Sequence, residues 1–81
     1  MNFSLNGAGP EGRAWIERDT AGLSPSYSRE YALVVDRAEG SEVWDVDGKR
    51  YIDFMAGVAV LNVGHRHPHV QAAVEEQVSK F

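Results

Sequence analysis

Two β-prone runs, Val43-Trp44-Asp45-Val46 and Tyr51-Ile52-Asp53-Phe54, flank the dipeptide Asp47-Gly48. That arrangement constrains the fold of this chain more than any other stretch. Asp-Gly between two such runs signals a tight hairpin, because a type I′ turn needs positive φ at both central positions. A third β-prone run, Leu33-Val34-Val35, lies ahead of the turn residues Glu39-Gly40. Three antiparallel strands in meander order are therefore expected. Such a sheet cannot bury its own apolar face and needs a helix or a second sheet against it.

Helices are expected on both sides of the meander. Residues 1–9 read as a flexible leader. Pro10 stands at a first helical position, where its missing N–H costs nothing. Glu11 suits the positive helix end, Arg13 and Glu17 are spaced to pair, and Trp15 and Ile16 supply an apolar side. Gly22 reads as the C′ residue, with Ser24-Pro25 as the stop. Residues 25–32 form an irregular arm carrying Tyr27 and Tyr31. Near the other end, Pro68 opens a helix with His67 as N-cap. Val70, Ala73, Val74, Val78 and Phe81 line one face, with Glu75, Glu76 and Lys80 on the other. The sequence stops at Phe81, on the apolar face and without a C-cap signal, as a truncated piece would.

Between meander and final helix, Met55 to Val63 is apolar and small, with neither alternation nor helical period. A buried extended segment crossing the interior of something larger is expected. Its small side chains let backbone pass close to a ligand or to other backbone. On the residues alone, Val58 reads as ordinary core.

Composition narrows the function classes. The chain has 81 residues, 43% hydrophobic and 25% charged: one small domain at most, with a thin core. It has no cysteine, so no disulfide. The net charge is −4 and the basic residues are scattered, which argues against nucleic acid as a partner. The longest strongly apolar run, Val58 to Leu61, falls far short of the ~20 residues of a membrane span. No secretory signal opens the chain, and a cytoplasmic location is expected.

Candidate chemistry is sparse. His65, His67 and His69 alternate, but Pro68 turns the chain between the last two, so no metal site is expected. In Asp45-Val46-Asp47-Gly48 the glycine comes too early for a calcium loop. Gly7-Ala8-Gly9 lacks the strand a dinucleotide fingerprint needs. No serine has the setting of a nucleophile elbow. Asp36, Asp45, Asp47 and Asp53 are assigned to solvated faces and turns. The residues alone thus describe an α+β piece without a reaction. A stand-alone interaction module is one reading, and it requires a chain free of large exposed apolar patches.

The string from Val43 to Phe54 resembles the "WDVDGxxYIDF" hairpin near the start of class III pyridoxal-phosphate-dependent aminotransferases. Gly57-Val58-Ala59-Val60-Leu61-Asn62-Val63-Gly64-His65-Arg66-His67-Pro68 resembles the "GIAVLNxGHxHP" run that follows it. Pro25-Ser26-Tyr27, Arg37-Ala38-Glu39-Gly40 and the helix carrying Ala73, Val74 and Gln77 match as well, so the resemblance covers about residues 24–81. Ala32 stands where relatives often carry proline.

The resemblance implies that residues 10–81 are the N-terminal segment of a longer fold-type I enzyme, α/β overall, with this piece in its small domain. It implies a homodimer with active sites at the subunit interface and pyridoxal 5′-phosphate held by a downstream lysine. Val58 takes the position that relatives place against the substrate, with Gly57 and Ala59 flanking it and Tyr27 or Tyr31 reaching in from the arm. The donor implied is an ω-amino acid or amine, with a 2-oxo acid acceptor, and valine there and Asn62 lean towards 4-aminobutyrate-like donors. Acetylornithine and ornithine aminotransferases, amino acid racemases and decarboxylases share the same run. Lys49 and Lys80 do not match the catalytic lysine position, so the chain by itself is expected to be inactive, with no catalytic or cofactor-binding residue of its own.

Overall fold

The structure, a computed structural model, describes residues 7–26 and 29–81. Helix α1 spans Pro10–Gly22, strands β1, β2 and β3 span Val35–Glu39, Glu42–Asp45 and Arg50–Ile52, a single turn α2 spans Ala56–Ala59, and helix α3 spans Pro68–Val78. The strands form one antiparallel sheet in the order β1-β2-β3, as the sequence leads one to expect. Glu39 pairs with Glu42 across a two-residue connection whose first residue, Gly40, has φ +58. The β1–β2 register slips between Val35 and Arg37, which leaves Asp36 as an extra residue. Trp44 of β2 faces Arg37 on one side and Arg50 on the other. The Arg37 guanidinium lies 3.8 Å from the Trp44 ring centroid, a cation–π contact worth about 0.5–1 kcal/mol at an exposed site.

The β2–β3 hairpin departs from the type I′ expectation. Only Gly48 has positive φ, +86. Gly48 N–H donates to Asp45 O at 3.0 Å and Asp45 N–H to Lys49 O at 2.9 Å. This is a β-turn followed by a left-handed glycine, the three-residue form of hairpin loop. The reason lies in Asp45, which is 6% exposed. Its carboxylate accepts from the Asp47 amide (3.0 Å), the Lys49 amide (2.8 Å) and the Tyr51 hydroxyl (3.0 Å), so the loop wraps around a buried acceptor. Burial is the largest influence on Asp45 and pushes its pKa up. The Lys49 amide, the Tyr51 hydroxyl, the Asp47 amide and the Lys49 charge outweigh it and hold the carboxyl below the ordinary 3.8. Tyr51 responds in the other direction, raised first by its own desolvation and then by its bond to Asp45.

Helix α1 begins where the sequence places it, with Pro10 in the first turn, but its cap is supplied from far along the chain. Gly9, assigned to the leader by sequence, is the N-cap residue and offers no side chain. Asp47, at the hairpin tip, accepts from the Glu11 and Gly12 amides, each at 2.8 Å. A carboxylate at a helix N-terminus gains both the orphan donors and the helix dipole. The approach needs glycine: a Cβ on Gly9 would sit 2.5 Å from Asp47 Cγ, and one on Gly12 3.1 Å from Asp47 Oδ2. At the other end the helix includes Gly22 and is capped by Leu23 in extended conformation, so Gly22 is not the left-handed residue expected. Arg13 turns back to Ala8 O (3.1 Å) and forms no ion pair with Glu17. Asp19 instead anchors the arm through Arg29, at 2.9 and 3.3 Å.

Among the described residues, Ile16 and Val43 are the buried hydrophobics, a core as thin as the length implied. The stripe on α3 has its expected spacing, yet Val70, Val74, Val78 and Phe81 are exposed. That stripe contradicts the self-contained interaction module. His67 caps α3 as expected, its Nδ1 accepting from the His69 amide at 3.3 Å. No described helix is long and apolar enough to cross a membrane.

Removing the Asp47 carboxylate (Asp47→Ala) should cost about 1 kcal/mol at the start of α1, and amide exchange at Glu11 and Gly12 should accelerate about fivefold. Gly9→Ala should do the same by displacing the carboxylate. Unchanged exchange in both variants would show that Asp47 does not hold the helix.

Candidate functional site

Three of the residues singled out by sequence, Gly57, Val58 and Ala59, lie on a loop that leaves β3 and returns to α3. Both stems of this loop dock on the β1–β2 connection. Asp53 N–H donates to Ser41 O at 2.8 Å. At the far end, His65 and Gly40 exchange backbone hydrogen bonds, Gly40 N–H to His65 O at 2.9 Å and His65 N–H to Gly40 O at 2.8 Å. Gly64 makes this close approach possible. It has φ +85, and a Cβ there would lie 3.0 Å from Gly40 O. A side-chain bond closes the loop: His65 Nε2 and Asp53 Oδ2 are 2.6 Å apart. The carboxylate only accepts, so Nε2 carries the hydrogen and donates.

The other oxygen of Asp53 starts the turn. Oδ1 accepts from the amides of Met55 and Ala56, each at 2.9 Å. The Ala56 amide and then the His65 ring hold the Asp53 carboxyl below the ordinary 3.8; burial opposes them and is outweighed. From there the chain makes one left-handed turn. Ala56, Gly57, Val58 and Ala59 have φ of 48, 62, 63 and 64. The turn is closed by Ala59 N–H to Met55 O (2.9 Å), and by the Val60 and Leu61 amides to Ala56 O (2.8 and 2.9 Å). Glycine adopts this conformation freely. For the three residues with a Cβ, at about 1–2 kcal/mol each, it stores roughly 3–6 kcal/mol, and a β-branched residue such as Val58 is a clear outlier there.

The extended path expected for the crossing segment is thus corrected to a tight turn, exposed among the described residues. An extended run of nine residues would span about 30 Å, whereas Asp53 and His65, which bracket this one, are in hydrogen-bond contact. Val58 is 80% exposed and projects from the loop with Gly57 and Ala59 on either side. Gly57 is confined as well, since a Cβ there would meet Val60 Cγ2 at 3.0 Å. Tyr31 lies in a different place, on a groove of about 390 Å³ lined with Trp15, Ile16, Leu33, Val34, Val35 and the Asp19–Arg29 pair. Gly57, Val58 and Ala59 take no part in that lining. Tyr27 falls outside the described residues.

Sequence reading missed Asp53 as an organising residue, together with Asp45 and Asp47. None of the three is a merely solvated turn residue; each carboxylate holds a set of donors. For Asp53 a signal was present: an aspartate two and three residues ahead of amides that open an apolar run is the pattern of an Asx turn.

The depressed Asp45 and Asp53 set an expected pH dependence. Their contribution to stability is complete above the ordinary 3.8 and is lost as pH falls through the lower folded values. Tryptophan fluorescence followed from neutral to acid pH should therefore be flat down to about pH 4 and then report loosening of the hairpin. The double variant Asp45→Asn, Asp53→Asn should abolish that acid-side transition while lowering the stability at neutral pH.

The sequence model for aminotransferase class III matches residues 24–81. The chain is 49% identical over 66 residues to a 5-aminovalerate aminotransferase of Pseudomonas aeruginosa and 45% identical over 66 residues to a 4-aminobutyrate aminotransferase of Escherichia coli; each match covers 82% of this chain and 16% of the relative. In three dimensions it superposes on the acetylornithine aminotransferase of Elizabethkingia anophelis with a TM-score of 0.76 at 39% identity, over 85% of this chain and 17% of that one. It therefore spans about one-sixth of the length of these relatives. With both motifs folded as one hairpin and one clamped loop, and the family model covering the chain from residue 24 to its last, the chain belongs to the class III aminotransferases.

Proposed function

We propose that this chain is the N-terminal segment of a pyridoxal-phosphate-dependent transaminase that moves an amino group from an ω-amino acid to a 2-oxo acid. The observation carrying this reading is the family match across residues 24–81, which includes the loop presenting Val58. Two relatives named for ω-amino acids, 5-aminovalerate and 4-aminobutyrate, support the donor class, as does valine rather than a bulky aromatic at position 58.

In this reading Val58 forms an apolar wall on the substrate side, and Gly57 and Ala59 keep the passage beside it narrow. Tyr31 and Tyr27 belong to the arm and contact the substrate only if the assembled enzyme brings the arm to the loop. Pyridoxal phosphate supplies the electron sink for amino-group transfer. Lys49 and Lys80 do not match the family's attachment position, and in this reading neither holds it. The attachment lysine and the phosphate site belong to the remainder of the enzyme, a homodimer, and the chain alone is inactive. The exposed stripe on α3 is covered by that remainder.

The test is a donor screen on the full-length enzyme loaded with pyridoxal phosphate, with 2-oxoglutarate as acceptor. The expected order of kcat/KM puts 4-aminobutyrate and 5-aminovalerate above acetylornithine and ornithine. Val58→Tyr should lower kcat/KM for 4-aminobutyrate by about 10-fold or more, the scale of a pocket misfit. A wild-type preference for acetylornithine would overturn the donor assignment, and the absence of amino transfer from all four donors would overturn the transaminase reading.

A further inference from the structure

The loop from Asp53 to His65 joins two features with no necessary connection: a left-handed turn that three of its four residues resist, and a side-chain bond across its base. We infer that the Asp53–His65 pair is a positioning device, holding the strained turn in register so that Val58 stands at a fixed place for the amino donor. This rests on the reading of the Val58 loop as the substrate wall.

The geometry gives each group a separate task. Asp53 Oδ1 takes the Met55 and Ala56 amides and so launches the turn. Asp53 Oδ2 takes the His65 ring at 2.6 Å and so closes it. The His65 backbone is fixed independently by its two bonds to Gly40, so the ring is a strut from the β1–β2 connection to the carboxylate. The bond is only partly exposed, with the His65 side chain 21% and the Asp53 side chain 16% accessible. The turn itself is open to solvent: Val58 is 80% and Val60 73% exposed. Within the described residues no packing from above holds Ala56 to Ala59 in left-handed conformation. Among these residues the restraint comes from the base, and a turn held at its base under strain relaxes when the strut is cut.

Suppression separates a positioning role from a structural one. Removing the strut, His65→Ala, should raise KM for the amino donor about tenfold while kcat stays within about twofold, because the chemical groups are untouched. His65→Gln, whose amide can donate to Asp53, should restore most of the loss. Ala56→Gly, at a position with φ 48 where glycine is unstrained, should suppress the KM defect when combined with His65→Ala. A pair with only a structural role would give no such suppression.

The experiment is steady-state kinetics of these variants in the full-length holoenzyme, with thermal denaturation alongside. Wild-type enzyme that transaminates, with His65→Ala leaving KM unchanged or Ala56→Gly failing to suppress its defect, would overturn the positioning role alone. Absence of transamination in the wild type would instead remove the reading beneath it. Should His65→Ala not fold, Ala56→Gly in the otherwise unaltered enzyme decides the matter. A Tm raised by relief of strain supports imposed strain at the turn, and a lowered Tm overturns it.

Discussion

The hydrogen bond between Asp53 and His65 is the constraint on which the candidate site depends. It joins the exit of the sheet to the entry of α3 across twelve positions, and the intervening chain has no straight path left to it. The β1–β2 connection contributes because it offers backbone donors and acceptors to both stems, Ser41 O to Asp53 and Gly40 to His65. With the ends fixed, the left-handed turn at Ala56–Ala59 is the local cost of closure, and Gly57 and Gly64 stand where that cost would be highest for a residue with a side chain. Strain concentrated on an exposed apolar turn, with the scaffold beneath it well bonded, is the pattern expected of a ligand-facing element.

Three aspartates of the hairpin organise the rest by the same principle. Asp45 collects the donors of its own loop and Tyr51, Asp47 caps α1 from 35 and 36 positions away, and Asp53 launches the turn. Where Ile16 and Val43 are the buried hydrophobics among the described residues, carboxylate–amide bonds tie together segments that packing joins only thinly. Such bonds are charge-assisted and directional, which is why the depressed Asp45 and Asp53 make the acid limb of stability the informative one.

The parts of the fold legible in the sequence are those written in neighbouring residues. The meander followed from Asp47-Gly48 and its β-prone flanks, α1 from Pro10 and Glu11, and α3 from Pro68 with the spacing of Val70, Val74 and Val78. The left-handed turn was not legible because Met55–Val63 carries no period, and its shape is set by the meeting of residues 53 and 65 rather than by its own composition. The cap on α1 was hidden for the same reason: nothing near Gly9 announces that its acceptor is Asp47. The hairpin type was misjudged because the Asp45 side chain, and not the turn dipeptide alone, selects the loop. Val58, Gly57 and Ala59 were singled out through the resemblance, since on residue type alone they read as interior.

The stripe of α3 and the Val58 loop are exposed among the described residues, in a chain that spans about one-sixth of the length of its relatives. The deciding geometry is the backbone of residues 53–65 in the assembled protein. A crystal structure of the full-length holoenzyme measures it directly. The expected result is positive φ at Ala56, Val58 and Ala59, with His65 Nε2 within hydrogen-bond distance of Asp53. An extended path through Met55–Val63, with Asp53 and His65 apart, would contradict it.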